Sequence, residues 1–228
     1  MKLFDQTWEL LKKEILLEWR SKYAFNGVLL YVVSTVFICY ISFNLTAGFQ
    51  QSGDSYKIVW NVLFWIIMLF ASVNAIAKSF LQESKSRLLY YYSIASPQAI
   101  ILSKTIYNIL LMSLLGILAL TVYMLFFNNT LGDPLFYFIS VILGSISFST
   151  VFTMISAIAS KAGNNGTLMA ILSFPVIIPV ILMLIRLSKH AMDGVDRSLS
   201  YGDMGALLAI NAIVIATALL LFPFLWRD

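Results

Sequence analysis

The chain has 228 residues, 60% hydrophobic and only 11% charged, with a net charge of +4 and a mean hydropathy of +0.88. Soluble domains carry about 25% charged residues, so this composition excludes a soluble enzyme or a nucleic-acid-binding domain and reads as an all-α integral membrane protein. One cysteine, Cys39, leaves no intrachain disulfide, and one histidine, His190, argues against a multi-histidine metal or haem site.

In chain order, the first 24 residues hold five basic and four acidic side chains and no apolar core of signal-peptide length, so they are expected to be retained. Phe4, Trp8, Leu11, Ile15 and Trp19 recur every three or four positions and form one apolar helical stripe. Glu9–Lys13 and Glu18–Lys22 have i,i+4 spacing on the polar side. The segment is expected to be an amphipathic interfacial helix, residues 1–24, with its tryptophans at headgroup depth; a cytosolic helix packed on a partner is the alternative.

Residues 25–228 then form a six-helix membrane domain. The apolar runs 25–45, 57–77, 104–127, 135–160, 168–186 and 204–226 each approach the roughly 20 residues needed to cross about 30 Å of hydrocarbon. Between the fourth and fifth runs stands only SKAGNNGT, with Asn164, Asn165 and Gly166 as turn residues. With the N-terminus in the cytoplasm, 11 Lys and Arg residues fall inside and four outside (Lys57, Arg186, Lys189, Arg197). This positive-inside bias predicts that both termini are cytoplasmic.

The stretch ESKSRLLYYYSIASPQ, residues 83–98, lies between the second and third spans on the cytosolic side. Glu83 and Arg87 have helical pairing distance. Leu88, Leu89, Tyr91, Tyr92 and Ile94 are too apolar for an ordinary solvated loop, and Ser96-Pro97 reads as an N-cap followed by proline at the first helical position. A helix from Pro97 to Phe127 would be about 46 Å long, overshooting the hydrocarbon by about ten residues. The exposed tyrosines and leucines fit a docking surface, and equally an interfacial aromatic belt.

Chemistry-bearing motifs are few. There is no phosphate-binding G-x-x-x-x-G-K-[ST], so ATP chemistry would need a partner chain. None of the spans holds an acidic residue, which argues against an independent proton-coupled transporter. Pro175 and Pro179 share a helix face, where they predict a kink, either a static bend or a gating helix. Ser145, Ser149, Thr153, Ser156 and Ser160 line one face of the fourth span; close helix packing is favoured over a polar substrate track. Asn74, in the second span, calls for a partner across helices. His190 falls in the outer segment SKHAMDGVDRSLSYGD and is read as a solvated loop residue in preference to a haem ligand. Leu199 and Tyr201 give that segment some interfacial character.

Phe80, Glu83, Leu88, Leu89, Ser96, Pro97 and Lys104 resemble the segment after the second span of ABC-2-type permeases, although Ser86-Arg87-Leu88-Leu89 stands where that family has Gly-Thr-Leu-Glu. Further on, GNNGTLMAILSFPVIIPVILM with Pro175, Pro179 and Val180, preceded by SFSTVFTMISAIAS, resembles the fifth-span signature of the haem exporter protein B (CcmB) family. The resemblance covers essentially the whole chain. It implies a permease subunit of the cytochrome c maturation system in the bacterial inner membrane. Its implied partners are a separate ABC ATPase subunit acting as a dimer, a second copy of the permease and a haem-handling membrane protein, together with the bilayer and no nucleic acid. Haem would be the substrate of the complex and ATP would bind the partner; the chain itself would hold no cofactor or metal. Glu83, Arg87, Leu88, Leu89, Tyr91 and Pro97 would belong to the coupling helix that meets the ATPase, Pro175 and Pro179 to a gating kink, and Asn74, Ser149 and Thr153 to intramembrane polar contacts. The alternatives are a permease for a lipid, drug or glycan, and a non-transporting assembly scaffold.

Overall fold

The computed structural model describes residues 3–21, 23–45, 53–76, 80, 95–127, 131–161 and 166–227. Helix α1 spans Leu3–Ser21, α2 Tyr23–Leu45, α3 Asp54–Ile76, α4 Pro97–Phe126, α5 Pro134–Lys161, α6 Gly166–Asp193 and α7 Tyr201–Arg227, with a 3-10 turn at Arg197–Ser200 before α7. No strand occurs among the described residues. Six stretches are long and apolar enough to cross a membrane, each overlapping one of the six expected spans. The protein is an all-α, multi-pass membrane protein.

Helix α5 is the hub. It packs on α3, α4, α6 and α7, and 72% of its spanning window is buried, more than in any other span. Lipid tails are as apolar as leucine, so helices here associate through close packing and hydrogen bonds. The small residues of α5 permit both. At Gly144 the α3 side chain Trp65 lies so close that a Cβ would run into its ring. On another side, Gly116 of α4 lies against Ser145 and Val141.

An aromatic cluster fills the half of the bundle towards the α4–α5 loop. Trp60 and Phe64 of α3 meet Tyr123 of α4 and Tyr137 of α5, with Trp60 and Tyr123 edge-to-face at 4.7 Å. The Tyr123 hydroxyl donates to the Trp60 carbonyl at 3.0 Å. At the same end the Gly132 and Asp133 amides donate to the carbonyls of Met192 and Ala191. The approach is tight: a Cβ on Gly132 would meet the Gly194 backbone nitrogen at 2.7 Å.

Several expectations need correction. The helix holding His190 runs on to Asp193, so His190 is helical and not in a loop. Its Nδ1 lies 2.8 Å from the hydroxyl of the fully buried Ser200, which makes it a half-buried tie between α6 and the 3-10 turn. Asn74 stands two residues before the end of α3 and is exposed on the single chain, so it is not a contact between these helices. Gly166 begins α6, while Asn164 and Asn165 lie outside the described residues. In α1 the ion pairs are Glu9–Lys12 and Lys13–Glu14 rather than Glu9–Lys13, and Lys22 is outside the described residues. The reason is geometric: Glu14 faces the bundle, and Lys13 follows it.

Candidate functional site

Ser96 and Pro97 do what their sequence predicts. Ser96 is extended (φ −69°, ψ 143°), its hydroxyl accepts from the Ala99 amide, and Pro97 opens α4 where a missing N–H costs nothing. The rest of the expected coupling segment, with Glu83, Arg87, Leu88, Leu89 and Tyr91, lies outside the described residues.

What the structure adds is the support beneath that segment. Gln6 of α1 accepts two hydrogen bonds from Ser96 through one carboxamide oxygen, from the backbone amide at 3.2 Å and from the hydroxyl at 2.8 Å. Eight residues on, Glu14 meets Lys104, which lies eight residues after Ser96, at 3.4 Å. Glu18 then accepts from the Phe25 amide at 2.9 Å, capping the start of α2, and it also bonds the Tyr107 hydroxyl. Equal steps of about 12 Å along both helices mean that α1 runs in parallel with the first turns of α4. Thr7 and Leu11 are buried in the same seam.

The predicted apolar stripe is mostly exposed. Phe4, Trp8, Ile15 and Trp19 are exposed while Leu11 packs inward, and Ile15 and Trp19 also border the space between α1, α2 and α4. An apolar stripe turned outward on a helix that docks through its polar residues suits an interfacial position, with the stripe facing lipid. The periodicity revealed this stripe. The second stripe, Thr7, Leu11, Glu14 and Glu18, was also legible, because two carboxylates share a helical face with an apolar residue; counting charges as topology markers hid it.

Lys104 is the most deeply buried charged side chain among the described residues, with 4% of its side chain exposed. Its ammonium also sits 5.0 Å from the centre of the Phe80 ring. Phe80 in turn packs on Phe222 of α7. A buried amine without a counter-charge costs several kcal/mol, and Glu14 supplies that charge. Burial alone would raise the Glu14 carboxyl, but the positive charges of Lys104 and Lys13, and hydrogen bonds from both, hold it below its ordinary value.

Within the bundle the hydroxyl face of α5 is used for packing. The Asn108 amide of α4 donates to Thr153 at 2.8 Å, while Ser149 donates to the Asn108 carbonyl at 3.0 Å. Ser145 donates to the Met112 carbonyl. A second asparagine, Asn211 of α7, bridges Ser147 and Thr150 on another face of α5. A third, Asn61 of α3, bonds the Ile185 carbonyl and accepts from Ser188 and Tyr137, and Ser188 accepts from the Trp65 indole. Sequence reasoning singled out Asn74 and missed Asn61, Asn108 and Asn211, although the same signal, an amide in an apolar run, marks all four. Pro175 and Pro179 are exposed on α6, which continues as a helix through both.

At the opposite end, Asp133 caps α5 by accepting from the Phe136 amide and receives Arg197 at 2.7 Å. Lys57 and Lys189 flank Asp193, and Arg186 pairs with Asp203. Among the described residues no group of three or more His, Cys, Asp or Glu side chains is placed to hold a metal ion.

A family model described as CcmB protein matches residues 5–226. An uncharacterized protein of Rickettsia conorii is 25% identical over 175 residues, which cover 76% of this chain and 78% of that protein.

Proposed function

The chain belongs to the CcmB family, the permease subunits of haem export in cytochrome c maturation, and from that premise we propose that it is the membrane half of an ABC-type complex whose ATP hydrolysis occurs on a separate subunit. In this reading both termini and the 83–98 segment face the cytoplasm of a bacterial inner membrane. Glu83, Arg87, Leu88, Leu89 and Tyr91 meet an ATPase dimer. A haem-handling membrane protein and a second copy of this chain complete the assembly. Haem is cargo of the complex and not a resident cofactor of this chain.

The observation that supports it best is the seam between α1 and α4. Force applied to a short cytosolic segment moves a membrane helix only if the junction is stiff. Ser96, where that segment hands over to α4, is tied to α1 by two hydrogen bonds and braced further along by the Glu14–Lys104 pair. Displacement of the 83–95 segment would therefore carry α1, α4 and, through Glu18, the start of α2 as one body.

The test is deletion of the gene in its host, with staining of membrane proteins for covalently bound haem and a plasmid-borne copy as control. Loss of c-type cytochromes that the plasmid restores is the expected result. Unchanged staining in a host with no second copy would remove the haem assignment and leave a permease for another cargo. Leu88→Asp and charge reversal at Glu83 or Arg87 should each release the ATPase from the purified complex. A non-transporting scaffold would instead retain function with an ATPase unable to hydrolyse ATP.

A further inference from the structure

Between α1, α2 and α4 runs a groove of about 410 Å³ that the proposed function does not use. Its lining is graded. Glu18, Asn26 and Tyr107 stand at one end, and Leu110, Leu111 and Leu114 continue along α4 at the other. Tyr107 to Leu114 is seven residues, about 10 Å of helix, and α4 runs from its polar start into the bundle. The polar end therefore lies at the membrane surface and the leucine end in the hydrocarbon.

We infer that this groove holds one acyl chain of an aminophospholipid, taken from the leaflet that contains the start of α4. At about 410 Å³ the groove is large enough to take the upper part of one fatty-acyl tail along the α4 wall. The gradient from polar to apolar lining matches a lipid with its head at Glu18. Glu18 is the one charged residue among the described lining residues. Its carboxylate suits a primary ammonium head group, whose N–H groups can donate to it as choline cannot, and opposes a dianionic porphyrin or an anionic lipid. The groove wall is fixed, because α1 is pinned by the Glu14–Lys104 pair and by Glu18 on the Phe25 amide. A chain entering it therefore meets a formed surface, which lowers the ordering cost of binding.

The full chain, reconstituted in phosphatidylcholine vesicles with a small fraction of phosphatidylethanolamine carrying a photoreactive acyl chain, provides the test. Cross-links mapped by peptide mass spectrometry should concentrate at Ile15–Trp19 and Tyr107–Leu114 and should be competed by unlabelled phosphatidylethanolamine. Leu110→Trp, which fills the groove, should lower labelling there about tenfold, because displacing two buried methylenes is enough for that change. Leu208→Trp, on the exposed side of α7, should leave it unchanged. Labelling spread evenly around the protein, or undiminished in a folded Leu110→Trp variant, would overturn the site. Equal competition by phosphatidylglycerol or by haemin would overturn the ligand class. The competition series needs only the unaltered protein, so it decides the matter even if Leu110→Trp fails to fold.

Discussion

Glu14 and Lys104, ninety residues apart, form an ion pair at 3.4 Å in which the lysine side chain is almost wholly withdrawn from solvent. Glu14 belongs to the amphipathic helix before the first span and Lys104 to the third span, so the pair joins a peripheral element to the bundle at its surface.

Removing one partner should be far worse than removing both. Lys104 without Glu14 is a buried uncompensated charge, and Glu14→Ala should destabilise the protein by about 3–5 kcal/mol. The combination Glu14→Leu with Lys104→Met should recover most of that loss, because replacing a buried pair by apolar volume is often nearly neutral. Thermal unfolding of both variants and the unaltered protein in one detergent checks the order.

Acid should act on the same pair. The folded-state value of Glu14 lies below its ordinary 4.5, so its contribution is complete above that value and is lost as pH falls through the lower folded value. Stability measured on descending pH should therefore drop below about 4.5, and Glu14→Gln, though less stable at neutral pH, should show a shallower drop. Equal slopes for both proteins would mean that the pair does not couple α1 to α4.

Gly144→Leu should be among the most disruptive single changes in the bundle. Trp65 occupies the space that even a Cβ would need, and overpacking typically costs about 1–3 kcal/mol. Because Trp65 also donates to Ser188, displacing the ring should shift its indole fluorescence, which distinguishes local overpacking from general unfolding.

Asn211→Leu should cost about 0.6–1.7 kcal/mol, the range for hydrogen bonds between helices in lipid. Asn74→Leu should be neutral for the isolated chain, since Asn74 is exposed. A loss of assembly with Asn74→Leu, at unchanged stability, would assign that side chain to a partner interface.

Pro175→Ala and Pro179→Ala restore backbone donors on an exposed face of a helix that is already continuous, so stability should rise slightly or stay level. If the prolines provide a gating bend, haem attachment in the complemented host should fall with the double variant while protein level holds. A static kink predicts no fall.

The sequence by itself determined the membrane class, the six spans, the Ser96–Pro97 start of α4 and the outward apolar stripe of α1. Each of these depends on local chemistry: hydrophobic length, helical period, or a cap that satisfies its own neighbours. It also carried the family, through proline and small-residue spacing. The tertiary structure alone decided which polar residues meet. Nothing in the chain order says that Gln6 reaches Ser96, that Glu14 neutralises Lys104, or that Asn108 and Asn211 hold different faces of α5 while Asn74 faces outward. A hydropathy run has no preferred side when every side is apolar. Rotation about the helix axis is then set by packing against neighbours, and that rotation separates a structural amide from an exposed one.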